Sequence, residues 1–329
     1  MMITLAHGSG GKMTDSLIRD CFAKYLSNSV LDKMEDAAVV DLPGNRIAFT
    51  TDSFVVTPLF FPGGDIGRLS VCGTVNDLLM RGAKPRYLSA GFILETGLDT
   101  DVLERVVRSM AETAAEAGVS VVAGDTKVIE GNGGLYINTA GVGEVLPSVQ
   151  VGAGRSRPGD AIILSGFLGD HEACILSQRM KIENRIQSDC APLTRMTESL
   201  WKHDIEIHAM RDVTRGGLAT ILNELAASSG NGFELFTDAV PMNGQVQGFC
   251  DILGLDLLYM GNEGKMTLTV PQNQAEKAVQ LIRSCRYGEN AAVIGRVYQS
   301  ERPSVTMKTR SGATRSIPPL LGEGLPRIC

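Results

Sequence analysis

Four acidic residues sit beside small or hydroxylated neighbours in the first half of the chain: Glu35-Asp36-Ala37-Ala38, Thr50-Thr51-Asp52, Val75-Asn76-Asp77 and Ala123-Gly124-Asp125-Thr126. Each reads as the end of an apolar element. A single Asp in such a place is ordinarily a turn or helix cap. Four of them, next to residues that permit close approach, point to a shared cation site. Carboxylates in this number suit Mg2+, which fills its remaining positions with phosphate oxygens and waters. A nucleoside triphosphate held by its metal is the natural occupant. Capping explains each acid singly and explains the set less well. Lys127 follows the last of them directly. An ammonium there can offset developing charge or move a proton, although a solvated surface lysine is the simpler reading of its spacing alone.

Two glycine-bearing turns could hold anions. Gly8-Ser9-Gly10-Gly11-Lys12 lets backbone N–H groups close around phosphate oxygens. It is not a Walker A loop, because Ala6 and Met13 replace the glycine and the hydroxyl residue of that motif. A flexible turn is an equally good reading of it. Arg211-Asp212-Val213-Thr214-Arg215-Gly216-Gly217 opens a helix, where free N–H groups and the helix dipole favour an anion. Capping by Asp212 or Thr214 is the alternative. Glu263, between glycines in Gly261-Asn262-Glu263-Gly264-Lys265, is a metal ligand, a base or a turn residue. His7, His171, His203 and His208 show no metal-ligand spacing, and a structural role suits His171 best.

The seven cysteines are scattered, odd in number and without a C-x-x-C pair, which predicts a reduced, cytoplasmic protein. Six fall inside expected elements and read as small buried hydrophobes. Cys329 does not. It ends the sequence in Leu325-Pro326-Arg327-Ile328-Cys329, beside a carboxylate that should raise its pKa and slow its reaction in free solution. Such a thiol suits a carrier that a partner site activates. Counted from Gly312, the stretch leading to it spans at most roughly 60 Å at about 3.3 Å per residue.

The elements that must position these groups can be read from periodicity. Helices are predicted over 15–26, 65–80, 100–117, 170–180, 194–202, 217–228, 244–253 and 274–285. Strands are predicted over 37–42, 46–50, 87–94, 119–123, 135–145, 161–165, 233–236, 265–270, 292–298 and 304–308. The mixed order favours α+β over a doubly wound parallel sheet. With 329 residues, two domains are expected, over 1–150 and 151–310, and Gly152 to Gly159 reads as the junction. Residues 311–329 lack a period and read as a flexible tail. The net charge of −6 without a Lys/Arg cluster excludes a nucleic-acid footprint. Broken apolar runs exclude a membrane span, and the first residues do not form a secretory signal.

Taken together, the Gly-rich turn and the Glu-Asp-Ala, Thr-Thr-Asp, Asn-Asp, Gly-Asp-Thr-Lys, Arg-Asp-x-Thr-Arg-Gly-Gly and Asn-Glu-Gly-Lys segments resemble the AIR-synthetase-like superfamily over essentially the whole chain. The Pro-Arg-Ile-Cys end is similar to that of its carbamoyl dehydratase branch, which serves nickel–iron hydrogenase maturation. That resemblance implies a two-domain α+β (α/β) fold and a homodimer with ATP sites where the N-terminal sheets meet. It also implies an ATP-dependent conversion of an S-carbamoyl group on Cys329 into a thiocyanate. The carbamoyltransferase HypF would load Cys329, and the HypC–HypD complex would receive the cyano group. By the same resemblance Asp36, Asp52, Asp77 and Asp125 are the Mg2+–ATP acids. Glu35 stands where many members have Asp, and the resemblance turns the choice to Asp36. Nucleotide contacts are implied for Gly8, Ser9, Gly10, Gly11, Lys12, Thr51, Asn76, Thr126, Gly216 and Gly217. Lys127 and Glu263 resemble the pair that takes protons from the carbamoyl nitrogen, Lys127 on condition that burial lowers its pKa. The superfamily's selenophosphate synthetases should carry a cysteine or selenocysteine near the Gly-rich turn, yet none precedes Cys21. A small-molecule kinase, or a non-catalytic scaffold that docks a partner through Cys329, remains as an alternative.

Overall fold

The computed structural model describes residues 2–4, 17–29, 46–309 and 311–319. The Gly-rich turn with Gly8, Ser9, Gly10, Gly11 and Lys12, together with Asp36 and Cys329, lies outside them.

The first domain is a four-stranded sheet with helices on one face. Its strands are β1 (Ile47–Phe54), β4 (Ala83–Glu95), β5 (Ser120–Ile129) and β6 (Leu135–Val145), in the order β1-β6-β4-β5. Only the β4–β5 pair is parallel. A small hairpin of β2 (Phe60–Phe61) and β3 (Gly64–Asp65) precedes helix α1 (Ile66–Met80). Asp65 caps that helix by accepting the Arg68 N–H at 2.9 Å. Helix α2 (Thr100–Ala117) is strongly amphipathic and ends on left-handed Gly118. Along β1 exposure alternates, so Ala48, Thr50, Asp52 and Phe54 turn towards α1 while Ile47, Phe49, Thr51 and Ser53 face outwards.

The second domain is a seven-stranded sheet in the order β13-β12-β9-β11-β7-β10-β8. Its strands are β7 (Asp160–Leu164), β8 (Ala209–Asp212), β9 (Gly232–Phe236), β10 (Met266–Pro271), β11 (Ala292–Tyr298), β12 (Ser304–Lys308) and β13 (Thr314–Ser316). All its pairs are antiparallel except β12–β9. Central β7 and β10 are almost wholly buried, as their Ala-Ile-Ile-Leu and Met-Thr-Leu-Thr-Val runs require. Helices α3 (Asp170–Met180), α4 (Thr194–Lys202), α5 (Gly217–Ser229), α6 (Gly244–Leu253) and α7 (Ala275–Arg283) surround it. Among the described residues no helix is long and apolar enough to cross a membrane.

The two-domain α+β expectation is met, and three details differ. Asp52, Asp77 and Asp125 lie inside β1, α1 and β5 rather than at element ends. The stretch after Ser311 does not begin as a tail. Thr314–Ser316 pairs with β12, Ile317 is 2% exposed, and Tyr259 donates to the Pro318 carbonyl at 2.7 Å. Beyond Pro319 ten residues remain, a reach of at most roughly 35 Å at 3.3–3.6 Å per residue. Finally, β8 was not foreseen, and it brings Arg211 and Asp212 up against α1 of the first domain.

Candidate functional site

Three carboxylates meet at the junction of the two domains. Asp52 points inwards from β1 and accepts the Thr74 hydroxyl of α1 at 3.0 Å. Asp77, one turn further along α1, accepts the Thr50 hydroxyl at 2.8 Å. Asp212 arrives from the second domain at the end of β8. Burial, then the facing charge of Asp77, raise the Asp52 pKa, while Thr74 and Arg215 act the other way. Burial raises that of Asp77 against the Thr50 hydrogen bond and Arg211. Burial, with Asp77 and Asp52 adding to it, pushes Asp212 up to about 7. Negative groups that repel one another at a shared spot are stabilised by a cation.

Mg2+ fits this spot in one particular way. Among the described residues no three His, Cys, Asp or Glu side chains converge closely enough to hold a metal ion by themselves. Mg2+ does not require that, since it is typically held by one or two carboxylates plus phosphates and waters. One or two of Asp52, Asp77 and Asp212, together with phosphate oxygens and waters, would hold it, with Arg211 and Arg215 beside them to meet phosphate charge. Sequence reasoning read the segment around Asp212 as an anion site, with capping by Asp212 or Thr214 as the alternative, and did not count Asp212 among the acids. Its signal was the pair of flanking arginines in Arg211-Asp212-x-x-Arg215.

Asp125, Thr126 and Lys127 are elsewhere on the sheet. Register runs Ser53–Asn138–Gly91–Asp125 across the four strands, one residue on from the row of Asp52 and Thr139. Asp125 therefore belongs to the outer face, three strands from β1, about 14 Å at 4.8 Å per strand. Asp125 and Lys127 are both exposed, and Lys127 joins no ion pair among the described residues. The burial expected for Lys127 is not supplied by the described residues. The same outer face carries Ile47, Phe49, Val55, Ile93 and Ile129, each at least 42% exposed. Thr51 also points out there and bonds the Thr139 carbonyl at 3.0 Å.

Three expected nucleotide contacts have other places. Asn76 is buried, its amide donates to the Ala191 carbonyl at 3.1 Å, and its carbonyl oxygen accepts the Leu193 N–H at 2.9 Å. With both ends used between the domains, it latches them instead of meeting a phosphate. The Gly217 N–H already donates to Thr214 at 3.0 Å, and a Cβ on it would lie 2.4 Å from the Leu258 carbonyl oxygen. It is a close-packing glycine at φ +63°. Gly216 is the left-handed residue that opens α5, and its carbonyl accepts the Thr220 N–H.

Glu263 is buried in the loop before β10, where its N–H donates to Asp189 at 3.1 Å. Lys265, also buried, pairs with the other Asp189 oxygen at 3.2 Å. The structure thus separates the expected sites into an acid cluster at the domain junction, Glu263 in the second domain, and Asp125 with Lys127 on the open sheet face.

Comparison with known proteins agrees with this architecture. The N-terminal domain of AIR synthase related proteins matches residues 34–145, and the C-terminal domain matches residues 157–308. Carbamoyl dehydratase HypE of Rhodobacter capsulatus is 45% identical over 335 residues, covering 99% of this chain and 98% of that protein. A solved HypE in complex with ATP superposes with a TM-score of 0.95 at 47% identity, covering 99% of both chains. The HypE of a HypE–HypF complex gives 0.80 at 43% identity, covering 93% of this chain and all of that one. The chain therefore belongs to the AIR synthase related proteins and, within them, to the carbamoyl dehydratase HypE family.

Proposed function

We propose that the chain dehydrates an S-carbamoyl group on Cys329 to a thiocyanate at the expense of ATP, supplying cyanide for the iron of a nickel–iron hydrogenase. The observation that carries this reading is the cluster of Asp52, Asp77 and Asp212, built from both domains in a HypE-family fold. Mg2+, when bound, would offset charge on the transferring phosphoryl group. The chain's own groups do the rest. Arg211 and Arg215 meet phosphate oxygens from the second domain, and Thr50 and Thr74 fix the carboxylates that face them.

A carbamoyl oxygen is a poor leaving group. Transfer of the γ-phosphoryl group makes it a good one, and the C–O bond then breaks to release phosphate. Both N–H protons must leave, giving S–C≡N, ADP and phosphate from S-carbamoyl and ATP. Glu263 and Lys127 are the proposed acceptors of those protons. Within one chain Lys127 faces outwards beside Ile93 and Ile129, on the same sheet face as the more distant Phe49, so the proposal extends to a homodimer. A second copy's sheet would cover this face and bring Asp125 and Lys127 to a shared site, whereas Thr126, in register with buried Phe92 and Ile137, points to the helix-covered face. HypF, the partner in the related complex, would load Cys329, and HypC–HypD would take the cyano group. A cytoplasmic setting suits six described cysteines that are all free thiols.

The test is the mass of the Cys329 peptide after HypF loading and addition of Mg-ATP. Loss of one water is expected. ATP hydrolysis with verified loading and no mass change would favour a scaffold instead.

A further inference from the structure

Between α3 and α4 the chain crosses the domain junction as an irregular segment, Ser188 to Leu193. The first domain grips it at four points. Its Ser188 N–H donates to the Pro62 carbonyl at 2.8 Å, Arg68 Nε donates to the Cys190 carbonyl at 2.7 Å, and Asn76 holds Ala191 and Leu193 as described. The other side of the segment holds Glu263. Asp189 Oδ1 accepts the Glu263 N–H at 3.1 Å, and the Ala191 N–H donates to the Glu263 carbonyl at 3.4 Å. Gly264 fits so closely that a Cβ would lie 1.9 Å from the Asp189 carbonyl oxygen. The Asp189 side chain is itself immobilised, 2% exposed and paired through Oδ2 with buried Lys265 at 3.2 Å.

Asn76 is the immediate neighbour of Asp77 on α1. A continuous bonded path therefore runs from the acid cluster through Asn76 and the Ser188–Leu193 segment to the backbone of Glu263. We propose that Asp189 is a positioning residue for Glu263, and that with Asn76 it fixes Glu263 relative to the phosphate-binding face of the first domain. This rests on the reading of Glu263 as a proton acceptor. A base must sit within hydrogen-bond reach of the proton it takes, and a displacement of about 1 Å costs on the order of a hundredfold in rate. Neither residue touches the reacting atoms, and their contribution is geometric.

Removing Asp189 alone would strand the buried Lys265 charge and confuse unfolding with mispositioning. The test therefore compares two double variants. Asp189→Asn with Lys265→Met removes the ion pair and keeps an oxygen for the Glu263 N–H. Asp189→Ala with Lys265→Met removes both. Single-turnover conversion of carbamoyl-loaded protein is followed by peptide mass, alongside Mg-ATP affinity and the melting temperature. The Asn/Met protein is expected to convert at nearly the parent rate. The Ala/Met protein is expected to fall on the order of a hundredfold with nucleotide affinity unchanged. Equal rates in the two variants would overturn the proposal, as would a loss of affinity in step with rate. Glu263→Gln separates the two layers. If it stops conversion while the Ala/Met protein still converts at the parent rate, the positioning role is wrong and the base reading stands. If Glu263→Gln converts normally, the base reading is wrong and the positioning role falls with it.

Discussion

Asp77 of the first domain and Asp212 of the second face one another across the domain junction, and after burial itself Asp77 is the main reason the Asp212 carboxyl is pushed up to about 7. Two acids contributed by separate domains do not gain from this proximity in the free protein. The arrangement makes sense when a cation and phosphates lie between them, and it makes the nucleotide a tie between domains. Asp212→Asn should therefore weaken Mg-dependent ATP binding by about tenfold, near 1.4 kcal/mol. Without ligand the same variant should melt no lower than the parent at pH 8, because a repulsive charge has gone. Calorimetric titration with and without Mg2+, beside a melting curve, checks both. Unaltered affinity would remove Asp212 from the site.

Lys127 offers a cleaner separation of binding from chemistry. It is exposed on β5 and away from Asp52, Asp77 and Asp212. Lys127→Ala should change stability by no more than about 0.5 kcal/mol and leave ATP affinity intact. It should stall Cys329 at the carbamoyl stage, which accumulation of the carbamoyl mass would reveal. A parent-like dehydration rate would exclude it from proton transfer.

The open sheet face makes a prediction about assembly. Phe49 is 68% exposed and Ile129 42% on the face that carries Asp125 and Lys127. Large exposed apolar side chains gathered on one sheet face mark it as a candidate interaction surface. On the proposed homodimer, Phe49→Asp should shift the protein towards monomer in sedimentation velocity and lower dehydration with it. Full dehydration by a monomeric variant would refute the shared site.

The helices and most strands were legible because their periodicity is strong. Thr100–Ala117, Asp170–Met180 and Ala292–Tyr298 have the boundaries read from sequence. The site was legible as a set of residue types and less so as a place. β8 is four residues long and ends in two charged residues, so no alternation announces it, and Asp212 was not counted among the acids. Asn76 resembles a phosphate contact in sequence, beside Asp77, yet helical geometry turns it towards Ala191 and Leu193. The outward direction of Lys127 depends on β5 pairing in register with β4, which single-sequence patterning does not specify.

Glu172 gives a stability prediction that is independent of the reaction. It is 4% exposed at the start of α3, and burial pushes it up to about 7 against the hydrogen bond that Gly261 N–H donates to it. A carboxyl whose pKa is higher folded than unfolded keeps its proton in the native state while the unfolded chain has released it. Its stabilising contribution is complete below about 4.5 and is lost as pH rises towards about 7. Asp170, raised to about 6 mainly by burial and then by Asp189, acts with the same sign. His171, lowered to about 4 mainly by burial, acts oppositely and costs stability as pH falls below 6.5. Comparing Glu172→Gln with the parent cancels both neighbours to first order. Glutamine is close in shape to the protonated acid, so the two proteins should have similar stability near pH 4.5. The variant should then become progressively more stable than the parent, by up to roughly 3 kcal/mol above pH 7. Denaturant unfolding at several pH values measures that difference directly. A difference that stays constant from pH 4.5 to 8 would mean that Glu172 is ionised in the folded protein throughout.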